Sequence, residues 1–314
     1  MRAIVMKRSG GPEVLKLLEV PEPTPVAGHH VVTVTRAGVN YADVHLRENS
    51  YLAPIEFPVT PGNEVMGVIG SRRVVALSRG GGYAEQTLVH RRVTWDVPDD
   101  VSDDQAAALA LQGNSAWHLL HTVLRVTKAD SVLIPAAAGG VGSLAVQLAK
   151  SIGARVIALA GGPEKAALVQ GLGADVVLDS STTEDLKERI LDAAEGPVSC
   201  ALEMIGGSVF DATLEALAPR GRMAVYGAVS GVQRTVPVAA LMQQSKQVSG
   251  FWLPNLYGER YALRDSMTAL FAATGRGELR PITGPSYALG DAAQAHIDLQ
   301  ARTTTGKVTL DPTR

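Results

Sequence analysis

The stretch that decides the fold is SVLIPAAAGGVGSLAVQLAK, residues 131–150. An apolar, β-prone run (132–134) leads into small residues and then into apolar residues at helical spacing, so the sequence predicts a strand, a tight turn and a helix. Small residues in such a turn let a pyrophosphate approach the backbone amides and the positive dipole end of the helix. The turn residues that we expect to bind a dinucleotide are Ala138, Gly139, Gly140, Val141 and Gly142.

The turn matches the G-x-G-x-x-G fingerprint of dinucleotide-binding folds in part. Gly139 and Gly142 occupy its second and third glycine positions, whereas Ala137 replaces the first. On the loop alone, the alternative is a turn that needs glycine only for backbone freedom and close packing. The residues that follow favour the dinucleotide, because strands and helices alternate as in a doubly wound parallel sheet. The predicted strands are 155–160, 174–179, 198–205, 222–227 and 248–253, with helices at 163–171 and 184–194.

The chain is predicted to have three parts, with boundaries after residues 113 and 250. Residues 1–113 contain short β-prone runs separated by Pro and Gly clusters, which indicate a β-rich domain. Residues 114–250 form the nucleotide-binding domain. The tail, 251–314, has predicted helices near Arg260–Thr274 and Asp291–Arg302 and a last strand at Lys307–Leu310. Because this tail is too short for a third domain, we expect it to pack on the first.

Composition and charge narrow the class of protein. The 314 residues are 46% hydrophobic and 19% charged, as in a soluble globular protein of two domains. A net charge of −2 argues against nucleic acid or an anionic membrane as partner, since both favour a basic surface. No apolar run has the length of a signal peptide or a membrane span, so we expect a cytoplasmic protein. The single cysteine, Cys200, lies in an apolar run and is interpreted as a buried residue rather than a reactive thiol.

The chain resembles the medium-chain dehydrogenase/reductase superfamily, in its zinc-free quinone oxidoreductase branch. The segments that carry the resemblance are, in the order of the family, GGPEVL (10–15), AGVNYADV (37–44), PGNEVMG (61–67), GGYAEQTLV (81–89), AAAGGVG (136–142) and TTGKVTL (304–310). The resemblance covers nearly the whole chain and implies an active cleft between two domains. The fold class implied is α/β, with a GroES-like β-rich catalytic domain plus a Rossmann doubly wound parallel sheet.

Two positions decide the chemistry within that superfamily. Zinc-dependent alcohol dehydrogenases carry a cysteine where this chain has Asn40, and the histidine of a G-H-E motif where it has Asn63. Amide side chains are poor zinc ligands beside thiolate and imidazole. His118 and His121 are three residues apart but have no third ligand near them in the sequence. We therefore expect no metal, and an acceptor that needs no Lewis acid, such as a quinone or an enone.

The turn after the second strand of the nucleotide domain indicates whether the cofactor is NADH or NADPH. NAD-specific domains place an acidic residue at the end of this strand, where this chain has Ala160. Lys165 resembles the lysine that relatives use to bind the 2′-phosphate of NADPH, although the adjacent Glu164 opposes that role. The expected cofactor is therefore NADPH, and we expect Gly161 and Gly227 to line its site.

Candidates for catalysis are concentrated between residues 40 and 51. Asn40 can donate its amide N–H to the oxyanion that develops on the acceptor, and Tyr51 matches a tyrosine that relatives place in the cleft. His45 stands where many relatives have another tyrosine. The alternatives are an exposed loop tyrosine and a packed or solvated histidine. Asp43 also matches a family position and is expected to be structural, and Ser115 either caps a helix or contacts the nicotinamide.

Together, these features predict a zinc-independent, NADPH-dependent oxidoreductase that transfers hydride to a quinone or an α,β-unsaturated carbonyl. The alternatives are an enoyl reductase acting in polyketide or fatty-acyl assembly, and a non-catalytic NADPH-binding sensor. The run 248–253 is predicted to be an apolar edge strand, which invites pairing with a second copy of the chain. The family resemblance and this run together predict a homodimer.

Overall fold

The computed structural model describes residues 1–259 and 261–314. The chain divides into a β-rich unit, Met1–Asn114 with Leu256–Arg314, and a parallel-sheet unit, Ser115–Asn255. In chain order the strands are β1 (Arg2–Val5), β2 (Lys16–Glu19), β3 (His29–Val39), β4 (Glu64–Ile69), β5 (Arg72–Leu77), β6 (Gln86–His90), β7 (Thr94–Asp96), β8 (Ser131–Ile134), β9 (Arg155–Ala160), β10 (Val176–Asp179), β11 (Val198–Glu203), β12 (Leu217–Val225), β13 (Gln247–Gly250), β14 (Thr283–Ala288) and β15 (Lys307–Asp311). The α-helices are α1 (Tyr41–Arg47), α2 (Asp103–Ala107), α3 (Asn114–His118), α4 (Gly140–Ile152), α5 (Pro163–Gly171), α6 (Leu186–Ala194), α7 (Gly207–Ala216), α8 (Val238–Gln244), α9 (Ala262–Gly275) and α10 (Ala292–Gln300).

The parallel-sheet unit has the doubly wound topology that the sequence predicts. Its six strands lie in the order β10-β9-β8-β11-β12-β13, and all neighbouring pairs are parallel. The chain builds outward from β8 to β10 and then returns to build outward from β11 to β13, so the direction reverses between β8 and β11. In open parallel sheets, ligands bind at the carboxyl ends of the strands beside such a reversal.

The central strands of this sheet are apolar on both faces, because helices cover both faces of a doubly wound sheet. Leu133, Ile157 and Ala201 have no exposed surface and form the centre of the core. Cys200 on β11 is also fully buried, and burial raises the pKa of its thiol to about 12. The burial predicted for Cys200 is therefore confirmed.

The β-rich unit is built on a mostly antiparallel sheet. Its strands lie in the order β14-β15-β3-β4-β5-β7, with β6 paired to β3, and β1 and β2 form a separate antiparallel pair. The C-terminal strand β15 runs antiparallel to β3, with Val308 opposite Val39 and Thr309 opposite Gly38. This pairing places the last residues of the chain beside the segment that leads into α1.

The C-terminal elements begin and end close to their predicted positions. The predicted helix 260–274 is observed as α9, and its expected first residue, Arg260, lies outside the described residues. The predicted helix 291–302 is observed as α10 and the last strand as β15. In the residues that the structure describes, no helix combines the length and the apolar character needed to cross a membrane.

Candidate active site

The glycine turn follows β8 at the point where the sheet reverses direction. Hydrogen bonds from Ala137 N to Leu159 O (3.0 Å) and from Gly139 N to Ala136 O (2.9 Å) fix the turn, and Gly139 is the N-cap of α4. A Cβ atom added at Gly142 would lie 2.4 Å from Ala136 O and 2.7 Å from Ala137 Cα, so no other residue fits there. The helix thus packs tightly on the turn, as the third glycine of the fingerprint requires.

This geometry suits a pyrophosphate group. The first N–H groups of a helix have no acceptor within the helix, and here they belong to small residues at the carboxyl edge of the sheet. The turn residues 139–141 are partly exposed, whereas the residues that follow them in α4 are buried. Two of these three partly exposed residues are glycines, so backbone forms much of the accessible surface of the turn, as diphosphate binding requires.

The turn between β9 and α5 contains the residues that we expect to determine the specificity for NADPH or NADH. Ala160 is the last residue of β9, as predicted, and Gly162 has a φ of 80°, a conformation that favours glycine. Lys165 lies in the first turn of α5 and is partly buried. The sequence interpretation missed Asp179, which ends the neighbouring strand β10 directly opposite Ala160. Its Oδ1 atom accepts a hydrogen bond from Gly162 N at 3.3 Å.

The turns after β11 and β12 lie at the same carboxyl edge of the sheet. Glu203 ends β11, is fully buried and accepts hydrogen bonds from Ile205 N (2.9 Å) and Gly206 N (3.1 Å). Burial raises the pKa of this carboxyl group. Gly227 follows β12, and a Cβ atom there would lie 3.1 Å from the Cβ atom of Met204. The two turns therefore pack closely, and Gly227 lies along the edge that carries the glycine turn.

One of the interpretations offered for Ser115, that it caps a helix, is wrong. Ser115 is buried in the second position of α3, which continues without a break from a π-helical turn at Leu109–Gly113 and leads into another at Leu119–Val123. A capping residue needs extended backbone at the start of a helix, which Ser115 does not have. Its predicted contact with the nicotinamide stays a prediction.

Asn40 lies at the centre of a buried polar network in the β-rich unit. Its Nδ2 atom donates to Glu64 Oε1 at 2.8 Å. Its Oδ1 atom accepts from Gln112 Nε2 and from Lys307 Nζ, each at 3.1 Å. Lys307 and Glu64 also form an ion pair, and the side chains of both are only 1% exposed. These contacts fix the orientation of the amide, because its oxygen and nitrogen face partners of opposite character.

Asp43 has the structural role expected of it. It is fully buried, and its carboxylate accepts hydrogen bonds from Asn40 N (2.9 Å), Asn63 Nδ2 (2.8 Å) and the hydroxyl of Tyr83 (3.2 Å). Burial raises the pKa of Asp43 to about 6, although the hydrogen bond from Asn40 N, the charge of Lys307 and the hydrogen bond from Tyr83 oppose the shift. Asp43 therefore ties the start of α1 to the segment around Asn63. It also links the two positions where zinc-dependent relatives have metal ligands.

Tyr51 interacts electrostatically with a second tyrosine, Tyr257, that the sequence interpretation did not consider. The ring of Tyr51 is partly buried against the core of the β-rich unit. Burial raises the pKa of Tyr257, and nearby Tyr51 and Glu64 raise it further. The guanidinium carbon of Arg79 lies 5.7 Å from the centre of the Tyr257 ring. No motif marks Tyr257, because it belongs to the returning tail and approaches Tyr51 only in the folded unit.

His45 is held on α1 by neighbouring side chains. Its Nδ1 atom is 3.1 Å from Ser50 Oγ, and its ring centre is 5.5 Å from that of Tyr41. Burial lowers the pKa of the imidazole, and nearby Glu48 partly offsets this shift. At neutral pH the ring is therefore mainly uncharged. Its predicted catalytic role stays a prediction.

The histidine pair at 118 and 121 has structural contacts. His118 Nδ1 is 2.9 Å from Thr122 Oγ1, and the ring centre of His121 is 4.1 Å from that of Trp117. Burial lowers the pKa of His118 to about 4. Across residues 1–259 and 261–314, no three His, Cys, Asp or Glu side chains are grouped so that they could hold a metal ion.

Comparison with known proteins gives the same family as the motifs. A family described as zinc-binding dehydrogenase matches residues 140–272, a range that does not contain Asn40 or Asn63. The quinone oxidoreductase of Pseudomonas aeruginosa is 31% identical over 318 residues, covering 96% of this chain and 97% of that protein.

Solved structures of similar proteins match the fold of this chain over nearly its whole length. The quinone oxidoreductase of Thermus thermophilus, which was also solved with NADPH, is 36% identical with a TM-score of 0.89, covering 99% of this chain and 100% of that one. The Escherichia coli quinone oxidoreductase complexed with NADPH is 29% identical with a TM-score of 0.94, at the same coverage. The chain therefore belongs to the quinone oxidoreductase branch of the medium-chain dehydrogenase/reductase superfamily.

Proposed function

We propose that the chain is a zinc-independent, NADPH-dependent oxidoreductase that transfers hydride to a quinone or an α,β-unsaturated carbonyl. The observation that carries the proposal is the glycine turn at the reversal of the parallel sheet, where Gly142 leaves no room for a side chain. The relatives from Thermus thermophilus and Escherichia coli were solved with NADPH, which supports this choice of cofactor.

The parallel-sheet unit would hold the cofactor with residues from four places in the chain. Backbone amides of the turn 138–142 would bind the pyrophosphate, and Lys165 the 2′-phosphate. Gly161 and Gly227 leave space along the carboxyl edge of the sheet, and Ser115 would contact the nicotinamide. When bound, NADPH supplies the hydride, which is two electrons and one hydrogen nucleus.

The β-rich unit would stabilise the charge that develops on the acceptor oxygen. The amide of Asn40 has two N–H groups, and the hydrogen bond to Glu64 uses one of them. The other N–H group and the hydroxyl of Tyr51 are neutral donors suited to an oxyanion. His45, which is mainly uncharged at neutral pH, would then relay a proton from solvent, taking one up at one ring nitrogen as the other nitrogen gives one to the reduced product.

Asn40 and Asn63, at the two positions where zinc-dependent relatives have metal ligands, favour chemistry without zinc. Asn40 and Asn63 each donate one amide N–H to a carboxylate, Glu64 and Asp43 respectively. An amide binds a metal through its oxygen, and the Oδ1 atom of Asn40 already accepts hydrogen bonds from Gln112 Nε2 and Lys307 Nζ. A quinone or an enone suits such a site, because its electron-poor carbon accepts hydride while its oxygen needs only hydrogen-bond donors.

Steady-state oxidation of NADPH with a panel of quinones, enones and enoyl thioesters tests the proposal. We expect turnover with at least one quinone or enone, and we expect a metal chelator to leave that rate unchanged. NADPH binding without turnover on any acceptor would instead indicate a sensor, and turnover confined to enoyl thioesters would indicate a reductase of acyl assembly. Loss of activity with the chelator, restored by zinc, would contradict the zinc-independent mechanism.

Replacing Lys165 with Ala is expected to weaken NADPH binding by about 1.5 to 3 kcal/mol, the typical value of a hydrogen bond to a charged group. NADH binding should change little, because NADH lacks the 2′-phosphate. Isothermal titration calorimetry with both cofactors measures the difference. Equal losses for the two cofactors would show that Lys165 does not bind the 2′-phosphate.

A homodimer is proposed from the exposed edge of the parallel sheet. Among the described strands β13 pairs with β12 alone, and α8, which precedes it, has no buried residue. Val238 and Met242 on α8 are 69% and 74% exposed, and Val232 is 47% exposed. Exposed apolar side chains on the helix that leads into an open edge strand favour pairing with a second copy.

Light scattering at micromolar concentration is expected to give twice the 32.9 kDa mass of one chain. The double substitution Val238→Asp and Met242→Asp should shift the mass toward that of one chain, because it places charge in an apolar interface. The wild-type protein eluting with the mass of one chain would contradict the dimer.

A further inference from the structure

Asp179 brings a carboxylate to a turn that the sequence leaves without one. The second strand of the parallel sheet, β9, ends in Ala160, where NAD-specific domains have an acidic residue. In the neighbouring strand, Asp179 is the last residue and is paired with Ala160 across the two strands. An acidic group is therefore present beside Ala160 at the carboxyl edge of the sheet, although it comes from the third strand rather than the second.

The Asp179 carboxylate is held against the turn that starts α5. Its Oδ1 atom accepts from Gly162 N at 3.3 Å and from Ser181 N at 3.0 Å. Its Oδ2 atom accepts from Ser181 Oγ at 2.6 Å. The hydrogen bonds from the side chain and backbone of Ser181, and then that from Gly162, lower the pKa of this exposed carboxyl group. Asp179 is therefore ionised throughout the neutral pH range.

Two side chains of opposite charge thus flank one short turn. Lys165 lies in the first turn of α5, and Asp179 is bonded to the glycine that precedes α5. A carboxylate here accepts hydrogen bonds from ribose hydroxyl groups and repels a 2′-phosphate, whereas a lysine attracts the phosphate. At a cofactor bound here, the two residues would act on the 2′ position of the ribose in opposite directions.

We propose that Asp179 is a specificity-determining residue, whose carboxylate lowers the preference of this protein for NADPH and allows NADH to bind as well. The inference rests on the proposed function, because it concerns the cofactor of that same site. It assigns Asp179 no part in the chemical step. Its effect is on the choice between two cofactors that differ only by the 2′-phosphate.

The substitution Asp179→Asn tests the proposal, because it removes the charge and keeps an oxygen that can accept from Gly162 N. We expect the dissociation constant for NADPH, measured by calorimetry, to fall on the order of tenfold at low salt. The constant for NADH should stay the same or rise. The gain for NADPH should shrink at about 1 M salt, since charges on an exposed surface are screened there. The fragments 2′,5′-ADP and 5′-ADP should show the same contrast.

Asp192→Asn is the matched control, because Asp192 is exposed and lies in the last turn of α6, which leads back to the opposite edge of the sheet. It makes the same change in net charge and should leave both constants unaltered. Asp179→Ser provides a second neutral variant in case the amide disturbs the turn.

Tighter NADPH binding in both Asp179 variants, with the ratio of the two constants shifted, supports the proposal. An unchanged ratio in variants that still bind NADPH overturns it and leaves the proposed function intact. A wild-type protein that binds neither nucleotide overturns both.

Discussion

Replacing Lys307 with Met is expected to lower the free energy of unfolding by about 3 to 5 kcal/mol, the usual cost of leaving one member of a buried ion pair without its partner. Lys307 and Glu64 are each only 1% exposed. In the variant, the Glu64 carboxylate would keep its hydrogen bonds from Asn40 Nδ2 and Leu111 N, both at 2.8 Å, but would lose its counter-charge. Urea denaturation followed by circular dichroism measures the change.

The same substitution at an exposed ion pair is the control. Lys150 pairs with Asp175 at 2.9 Å, and the two side chains are 33% and 37% exposed. Lys150→Met should cost at most about 1 kcal/mol, because solvent screens such pairs. The double variant Glu64→Gln with Lys307→Met should be less destabilised than the sum of its single variants, since it buries no lone charge. Equal losses of unfolding free energy for Lys307→Met and Lys150→Met would show that the buried pair contributes no more to stability than the exposed pair.

The parallel-sheet unit was largely predictable because its signals are local. The run that forms β9 and the one that forms α5 begin and end at the residues predicted from the sequence. Each of these elements is marked by its own period and by glycine or proline at its ends. The glycine turn could likewise be located, because the need for a residue without Cβ at position 142 is a property of one short loop.

The network around Asn40 could not be predicted, because its members are far apart in the sequence. Asn40, Glu64 and Gln112 belong to different segments of the first part of the chain, and Lys307 belongs to the last strand. The register of β15 on β3, with Val308 opposite Val39, is what brings Lys307 to Asn40. Such a register follows from the packing of the whole sheet, and no spacing within one segment reveals it.

Asp179 and Ser115 illustrate two further limits of sequence interpretation. The sequence pattern of NAD-specific domains places the acidic residue at the end of the second strand, but the pairing of β9 with β10 supplies one from the third. Ser115 follows Gly113-Asn114, a pattern that suggests the start of a helix, yet the chain is already helical from Leu109 onward. In both cases tertiary structure overrides a local signal.

The chemistry proposed for the β-rich unit predicts that Tyr51→Phe and Asn40→Ala each lower turnover a hundredfold or more, equivalent to about 3 kcal/mol of transition-state stabilisation. Tyr51→Phe removes only the hydroxyl and keeps the ring that packs against the core, so NADPH affinity should change little. Tyr287→Phe is the matched control, because the hydroxyl of Tyr287 donates to Asp298 at 2.6 Å and has no proposed role in turnover.

Asn40→Ala also removes hydrogen-bond partners of Glu64 and Lys307. Its turnover must therefore be measured on protein that binds NADPH normally, as shown by calorimetry. If both variants keep full turnover on every accepted quinone and enone, neither residue stabilises the oxyanion, and catalysis would depend on the positioning of the hydride donor and acceptor.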